Sequence, residues 1–225
     1  VTNKPSLSIL TGSAIAGILA CLGDFIVTFI LGALFPGYNL LHQSESYLGT
    51  AASPVAIYMN IWGVVFCLLL IIFAWGLRKS IFHKGKWQKI VVWCIALYGI
   101  GEGAGSGLFP YDHVGNVLTL SAKLHSLFGV LGGISLALIP LACTKIFSKA
   151  TFPTMHNYSW FVFSSGLFFI ILFMISEHDL IPYKGLWQRI FILDYHLFLC
   201  AIAVVMIRNR SLHQIGNPNP KTQSI

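Results

Sequence analysis

Six apolar stretches of roughly 20 residues or more run through this chain, the length an α-helix needs to cross a hydrocarbon core about 30 Å thick. They lie at 7–35, 54–77, 90–109, 117–143, 158–176 and 186–207. Charged residues make up 9% of the 225 and hydrophobic ones 56%, whereas a soluble domain carries roughly 25% charged residues. There is too little polar side chain to cover a water-facing surface, so the surrounding solvent is largely lipid. In lipid each backbone group must be satisfied within its own segment. The expected fold is therefore all-α, a polytopic membrane helical bundle of six transmembrane helices. Pro36-Gly37, Pro110 and Pro182 mark breaks between spans, and Trp87, Trp160 and Trp187 fall where interfacial aromatic belts sit. A single domain is expected over residues 1–210, followed by a disordered tail at 211–225 with Gly216, Pro218 and Pro220. Val1 is not a methionine, which leaves room for a preceding segment.

The net charge of +7 would point to nucleic acid in a soluble chain, but its distribution gives another explanation. Of the fourteen Lys and Arg, only Lys123, Lys184 and Arg189 fall within or beside the spans on one side. The other eleven flank the opposite ends, from Lys4 through Arg78, Lys79, Lys84, Lys86, Lys89, Lys145 and Lys149 to Arg208, Arg210 and Lys221. By the positive-inside rule that side is cytoplasmic, with both termini on it and the protein in the plasma (inner) membrane. Contact with anionic lipid heads then accounts for the basic character, and no nucleic-acid partner is needed. No Asp or Glu lies on that side. The five cysteines all lie inside apolar runs with no C-x-x-C pair, so buried packing is expected rather than a disulfide framework or a thiolate zinc site.

Ionisable groups inside a bilayer are expensive and are functional candidates by default. This chain has seven: Asp24, Glu102, Lys123, His125, Arg189, Asp194 and His196. Counting along each helix places all of them in the outer half or at the midplane. Glu45, Asp112, Glu177 and Asp179 lie in the loops on the same side, with His42, His113 and His178. An outward-open polar cavity among spans one, three, four and six is expected. His125 and His196 are expected to face it, with Lys123 pairing with Asp194 or Glu102. The third span carries glycine at alternate positions from Gly99 to Gly107. That pattern fits either close helix approach or a helix break exposing backbone to the cavity.

Several short motifs share an order and spacing. They are Phe35-Pro36-Gly37-Tyr38, Ser44-Glu45 with Leu48-Gly49, Ser53-Pro54, Gly107-Leu108-Phe109-Pro110 with Asp112, Leu124-His125, and Gly185-Leu186 with Arg189. In these the chain resembles the prokaryotic six-span membrane family known only as domain of unknown function nine-nine-eight, from about Gly23 to Met206. The resemblance implies the fold and topology, and it singles out Glu45, Asp112, His125 and Arg189. Asp24, His113 and His196 stand outside those motifs as local additions.

Three functional readings follow. The first is a metal-assisted hydrolase or transferase acting on a lipid-like substrate from the outer side. It would use a divalent metal such as zinc on His113, His125, His196 and Asp24, with Glu45, Glu102, Asp112 and Arg189 as catalytic groups. The second is a non-enzymatic binding or proton-coupled transport protein for a small ligand or ion, a small amphiphile included, in the same cavity. The third is haem held between His125 and His196. Against all three stands a purely structural role, in which Glu45 caps a helix, Arg189 snorkels and each histidine bonds a carbonyl.

Overall fold

A computed structural model describes residues 7–80, 85–114 and 117–215. Six helices long and apolar enough to cross a membrane account for nearly all of it. They are α1 (Leu7–Leu34), α2 (Ala56–Lys79), α3 (Lys86–Leu108), α4 (Leu120–Ile146), α5 (Pro153–Glu177) and α6 (Lys184–Ile215). Each helix packs against the next, and α6 returns to α1, so the bundle closes into a ring. Leu19, Ile26, Ile30, Ile61, Leu68 and Trp93 point outward, as the apolar coat of a membrane protein does. Inside, one large cluster joins all six helices, with Leu70, Phe73, Ile95, Leu136 and Phe198 at its centre.

The helix ends depart from the sequence expectation for identifiable reasons. The fourth span begins at Leu120 rather than near 117, because Val117–Leu118 (β2) pairs antiparallel with His113–Val114 (β1). Thr119 then caps the helix, its hydroxyl oxygen accepting from the Ala122 N–H at 3.1 Å. Pro153 starts α5 in the first turn, where a missing N–H does no harm. Helix α6 continues to Ile215, into the segment read as tail, and residues 216–225 lie outside the described part.

The glycine run of α3 makes the expected close helix approach, and the helix widens there without breaking. Residues Gly99–Gly105 form a widened π-helical turn, and the helix resumes to Leu108. The glycines divide between two neighbours. A Cβ on Gly103 would lie 2.6 Å from the Gly63 carbonyl of α2, and one on Gly101 would lie 2.5 Å from the Phe128 carbonyl of α4. Backbone therefore meets backbone on both sides of α3, an approach no larger residue permits.

All seven acidic residues are gathered towards one end of the ring, called here the acidic end, where α1, α3 and α5 finish and α2, α4 and α6 begin. The loop between α1 and α2 folds over this end and contains a short 3-10 turn, Glu45–Gly49.

Candidate functional site

A cavity of about 110 Å³ opens among the helices at the acidic end. Asp24 of α1, Glu102 of α3, His125 of α4 and Glu45 of the covering loop line it. Sequence reasoning placed it among spans one, three, four and six. The second span contributes as well, through Asn60, Trp62 and Phe66, and the fifth through Phe173.

Each acid is set by local packing. Gly23 leaves room for the Trp62 indole, since a Cβ there would lie 2.6 Å from its ring. The indole N–H then donates to Asp24 Oδ1 at 2.9 Å. Gly132 of α4 makes the corresponding space for Glu102, whose Cγ lies 2.8 Å from where a Cβ would be. Asp24 and Glu102 thus each depend on a glycine, one beside it in sequence and one on the neighbouring helix. Among the described residues the Glu102 carboxyl has no hydrogen bond or ion pair.

Glu45 is held from α6. Its N–H donates to Gln188 Oε1 at 2.7 Å, and its carboxylate lies 3.7 Å from Arg189 Nε. Burial, reinforced by the nearby Asp24 carboxylate, pushes Glu45 up to about 8, against the pull of Arg189. Arg189 is chiefly a clamp. One terminal nitrogen donates to the carbonyls of Leu40 (2.8 Å), Gln43 (3.1 Å) and Gly185 (2.9 Å), and the other donates to the Tyr38 hydroxyl at 2.7 Å. It fastens the covering loop to the start of α6 and does not itself line the cavity. Burial raises Tyr38 to about 12, so its phenol remains protonated.

His125 and Asp112 fasten the same loop from the other side. His125 Nδ1 lies 2.9 Å from the Phe109 carbonyl, so that nitrogen carries the proton. Its Nε2 then accepts from the Ser46 hydroxyl at 3.1 Å. Asp112 accepts from the Ala51 N–H at 2.8 Å.

The remaining expected residues lie elsewhere. His113 is exposed on the small hairpin, its ring against Tyr111. His196 is buried behind the cavity wall, its Nε2 2.8 Å from the Tyr98 hydroxyl and its ring among Phe25 and Phe66. Its Nδ1 has no hydrogen-bond partner among the described residues. The three histidines therefore do not converge, and no group of three or more His, Cys, Asp or Glu among the described residues is placed to hold a metal ion. Nor do His125 and His196 share the space expected for haem, since only His125 lines the cavity.

The pairing expected of Lys123 is corrected. Lys123 points outward one turn into α4 and makes no ion pair among the described residues. From there its stem can snorkel to the headgroups. Asp194 instead accepts a hydrogen bond from Ser165 of α5, and Lys184 pairs with Glu177 at 2.7 Å.

The family described as "Protein of unknown function (DUF998)" matches residues 18–205. The chain belongs to that family. The DUF998 match reaches from within α1 to within α6 and covers every cavity-lining residue named above. No curated protein matches the chain, and no solved structure matches it. The contributions of Trp62, Asn60, Tyr98 and Gln188 to this DUF998 cavity were missed from sequence. They are neutral, so a search for intramembrane charge passes over them. The usable signals were glycines, Gly23 beside Asp24 and Gly129-x-x-Gly132 on α4.

Proposed function

We propose that this membrane protein is a binding protein or carrier for a small positively charged solute, which enters the cavity from the acidic end. The observation that supports this most is an imbalance of charge. Three carboxyl groups, Asp24, Glu45 and Glu102, line one small cavity, and among the described residues no Lys or Arg side chain lines it with them. Arg189 pairs with Glu45 at 3.7 Å from outside the cavity lining, and its terminal nitrogens are already taken by backbone carbonyls and Tyr38. His125 is satisfied as a neutral ring. Buried carboxylates need protons or cations to balance them, so the site exchanges one for the other. With Glu45 pushed up to about 8, that exchange falls near neutral pH.

Metal-assisted hydrolysis draws less support, because the histidines read as ligands are dispersed and two of the groups read as catalytic, Arg189 and Asp112, are spent on fastening loops. The charge distribution of the loops supports an orientation with the acidic end outside the plasma membrane and both termini in the cytoplasm. The solute would then come from the outer side.

The test is proton release on cation addition in weakly buffered detergent solution at pH 7.5. A panel of inorganic and organic monocations should include at least one that displaces protons saturably from the wild type. The Asp24→Asn/Glu45→Gln/Glu102→Gln triple variant should release none. Absence of proton release with every cation in the panel would rule the reading out.

A further inference from the structure

The reading above leaves the chemistry of the solute open. Resting on it, we infer that the occupant is a small organic ammonium ion of about four to six non-hydrogen atoms, its charge on Glu102 and its carbon chain on the aromatic wall.

Glu102 is the free acceptor of the three. Asp24 receives the Trp62 N–H and Glu45 faces Arg189, whereas the Glu102 carboxyl has no protein partner among the described residues. It is nevertheless enclosed by α4, against Gly129 and Gly132. A carboxylate placed there without a donor is a vacancy for a cation.

The rest of the wall decides what kind of cation. Six aromatic residues, Trp62, Phe66, Tyr98, Tyr111, Phe173 and Phe191, line it as well. A hard metal ion wants six or so oxygen ligands, and no set of three or more acidic, histidine or cysteine side chains is placed to supply them among the described residues. An organic ammonium wants far less oxygen. One carboxylate meets its charge, and aromatic faces stabilise both the charge and the attached carbon. Phe66 and Tyr98 meet edge to face at 5.6 Å, and Trp62 lies 6.4 Å from Phe66, so these rings form one continuous panel next to Asp24.

Size sets the upper bound. The volume of about 110 Å³ is somewhat below the roughly 150 Å³ of an engineered protein cavity that takes up benzene. A short alkylammonium fits, and a large polycyclic amine does not. The same ammonium group could reach the cavity as a free amine or as the head of a lipid.

Gly133 provides a way to test occupancy without touching a carboxyl. It lines the cavity, and a Cβ added there meets nothing within 4 Å. Gly133→Val should therefore fill ligand space while leaving the helix contacts intact.

The experiment is calorimetric titration of the full chain in detergent at pH 8.5 with n-butylammonium chloride, n-butanol and potassium chloride in turn. The wild type should bind butylammonium saturably and should not bind butanol, and excess potassium should leave the affinity within twofold. Glu102→Gln and Gly133→Val should each weaken butylammonium at least tenfold. Vesicles of phosphatidylethanolamine set against phosphatidylglycerol separate a free amine from a lipid head. Competition by the former lipid alone assigns the ammonium to lipid, and no competition by either assigns it to a free solute. Potassium displacing butylammonium on equal terms would overturn the organic class while leaving a cation site standing. Binding of butylammonium undiminished in both variants would overturn the placement on Glu102. Binding of no cation at all would overturn this inference together with the function it rests on.

Discussion

In the half of the bundle near the basic end, the helices meet through Leu70, Phe73, Val91, Ile95 and Ile139, none more than 1% exposed. The few polar groups there are settled locally. Gln88 and Ser80 both donate to the Leu77 carbonyl, at 2.8 and 2.7 Å. In the acidic half the same six helices are spaced by an aromatic and carboxyl-lined cavity, and what closes it is a loop pinned by Arg189, His125 and Asp112. Side-chain packing alone can make the first kind of interior. The second kind needs backbone carbonyls and N–H groups as anchoring points, because a filled apolar core would leave no space for a ligand. The contrast separates residues that hold the cavity open from residues that face into it.

If that division is right, the largest effect belongs to the clamp. Arg189→Ala frees three carbonyls and leaves Glu45 buried without its partner, a change expected to destabilise by about 3–5 kcal/mol. Thermal unfolding in detergent reads it. Arg189→Lys should recover little, since an ammonium cannot reproduce the planar fork that spans these acceptors. Lys145→Ala, exposed at the basic end, should change stability by no more than about 0.5 kcal/mol. Equal losses at the two positions would erase the distinction between the ends.

Next in size is the close approach of helices at α3. Gly101→Val drives side-chain carbon into the Phe128 carbonyl and Gly132, and should destabilise by about 3 kcal/mol, with expression falling accordingly.

A smaller effect follows from Glu45. Its folded value, about 8, lies above the ordinary carboxyl value of 4.5, so the proton is held more tightly in the folded chain. The associated stability is fully present below 4.5 and is lost as pH rises through about 8. The melting temperature should decline across that window, and Glu45→Gln should flatten the decline.

Smallest, and opposite in sign, is Gly133→Ala. Alanine is the better helix former and has open space here, so a gain of about 0.5–1 kcal/mol is expected alongside weaker ligand binding. A cysteine at exposed Lys149 should leave stability unchanged and resist impermeant thiol reagents applied to intact cells. Labelling there would reverse the proposed orientation.

The spans were legible because length and hydropathy alone specify them, and the six stretches match the six helices to within a few residues at most ends. The pairing of His113–Val114 with Val117–Leu118 was not, since two residue pairs carry no period to detect. Part of the site was legible through cost. Asp24, Glu45, Glu102 and His125 stood out as ionisable groups in or near lipid, and they do share a cavity. What could not be read was facing. Lys123 and Asp194 lie in the same outer half by residue count, yet one points outward and the other turns to Ser165. His196 was expected to look inward, and it does look into the bundle, but Tyr98 stands between it and the cavity. Span two went unnoticed because its contribution is made by Trp62 and Asn60, neither of which carries charge.

The most direct measurement is mass-spectrometric mapping of carboxyl modification by a hydrophobic carbodiimide at pH 7, with and without butylammonium. Glu45 and Glu102 should be modified in its absence and protected in its presence, while Asp194, outside the cavity, should react alike in both samples. Modification of Glu102 unaffected by any cation, or protection equal at Asp194, would contradict a cation site in this cavity.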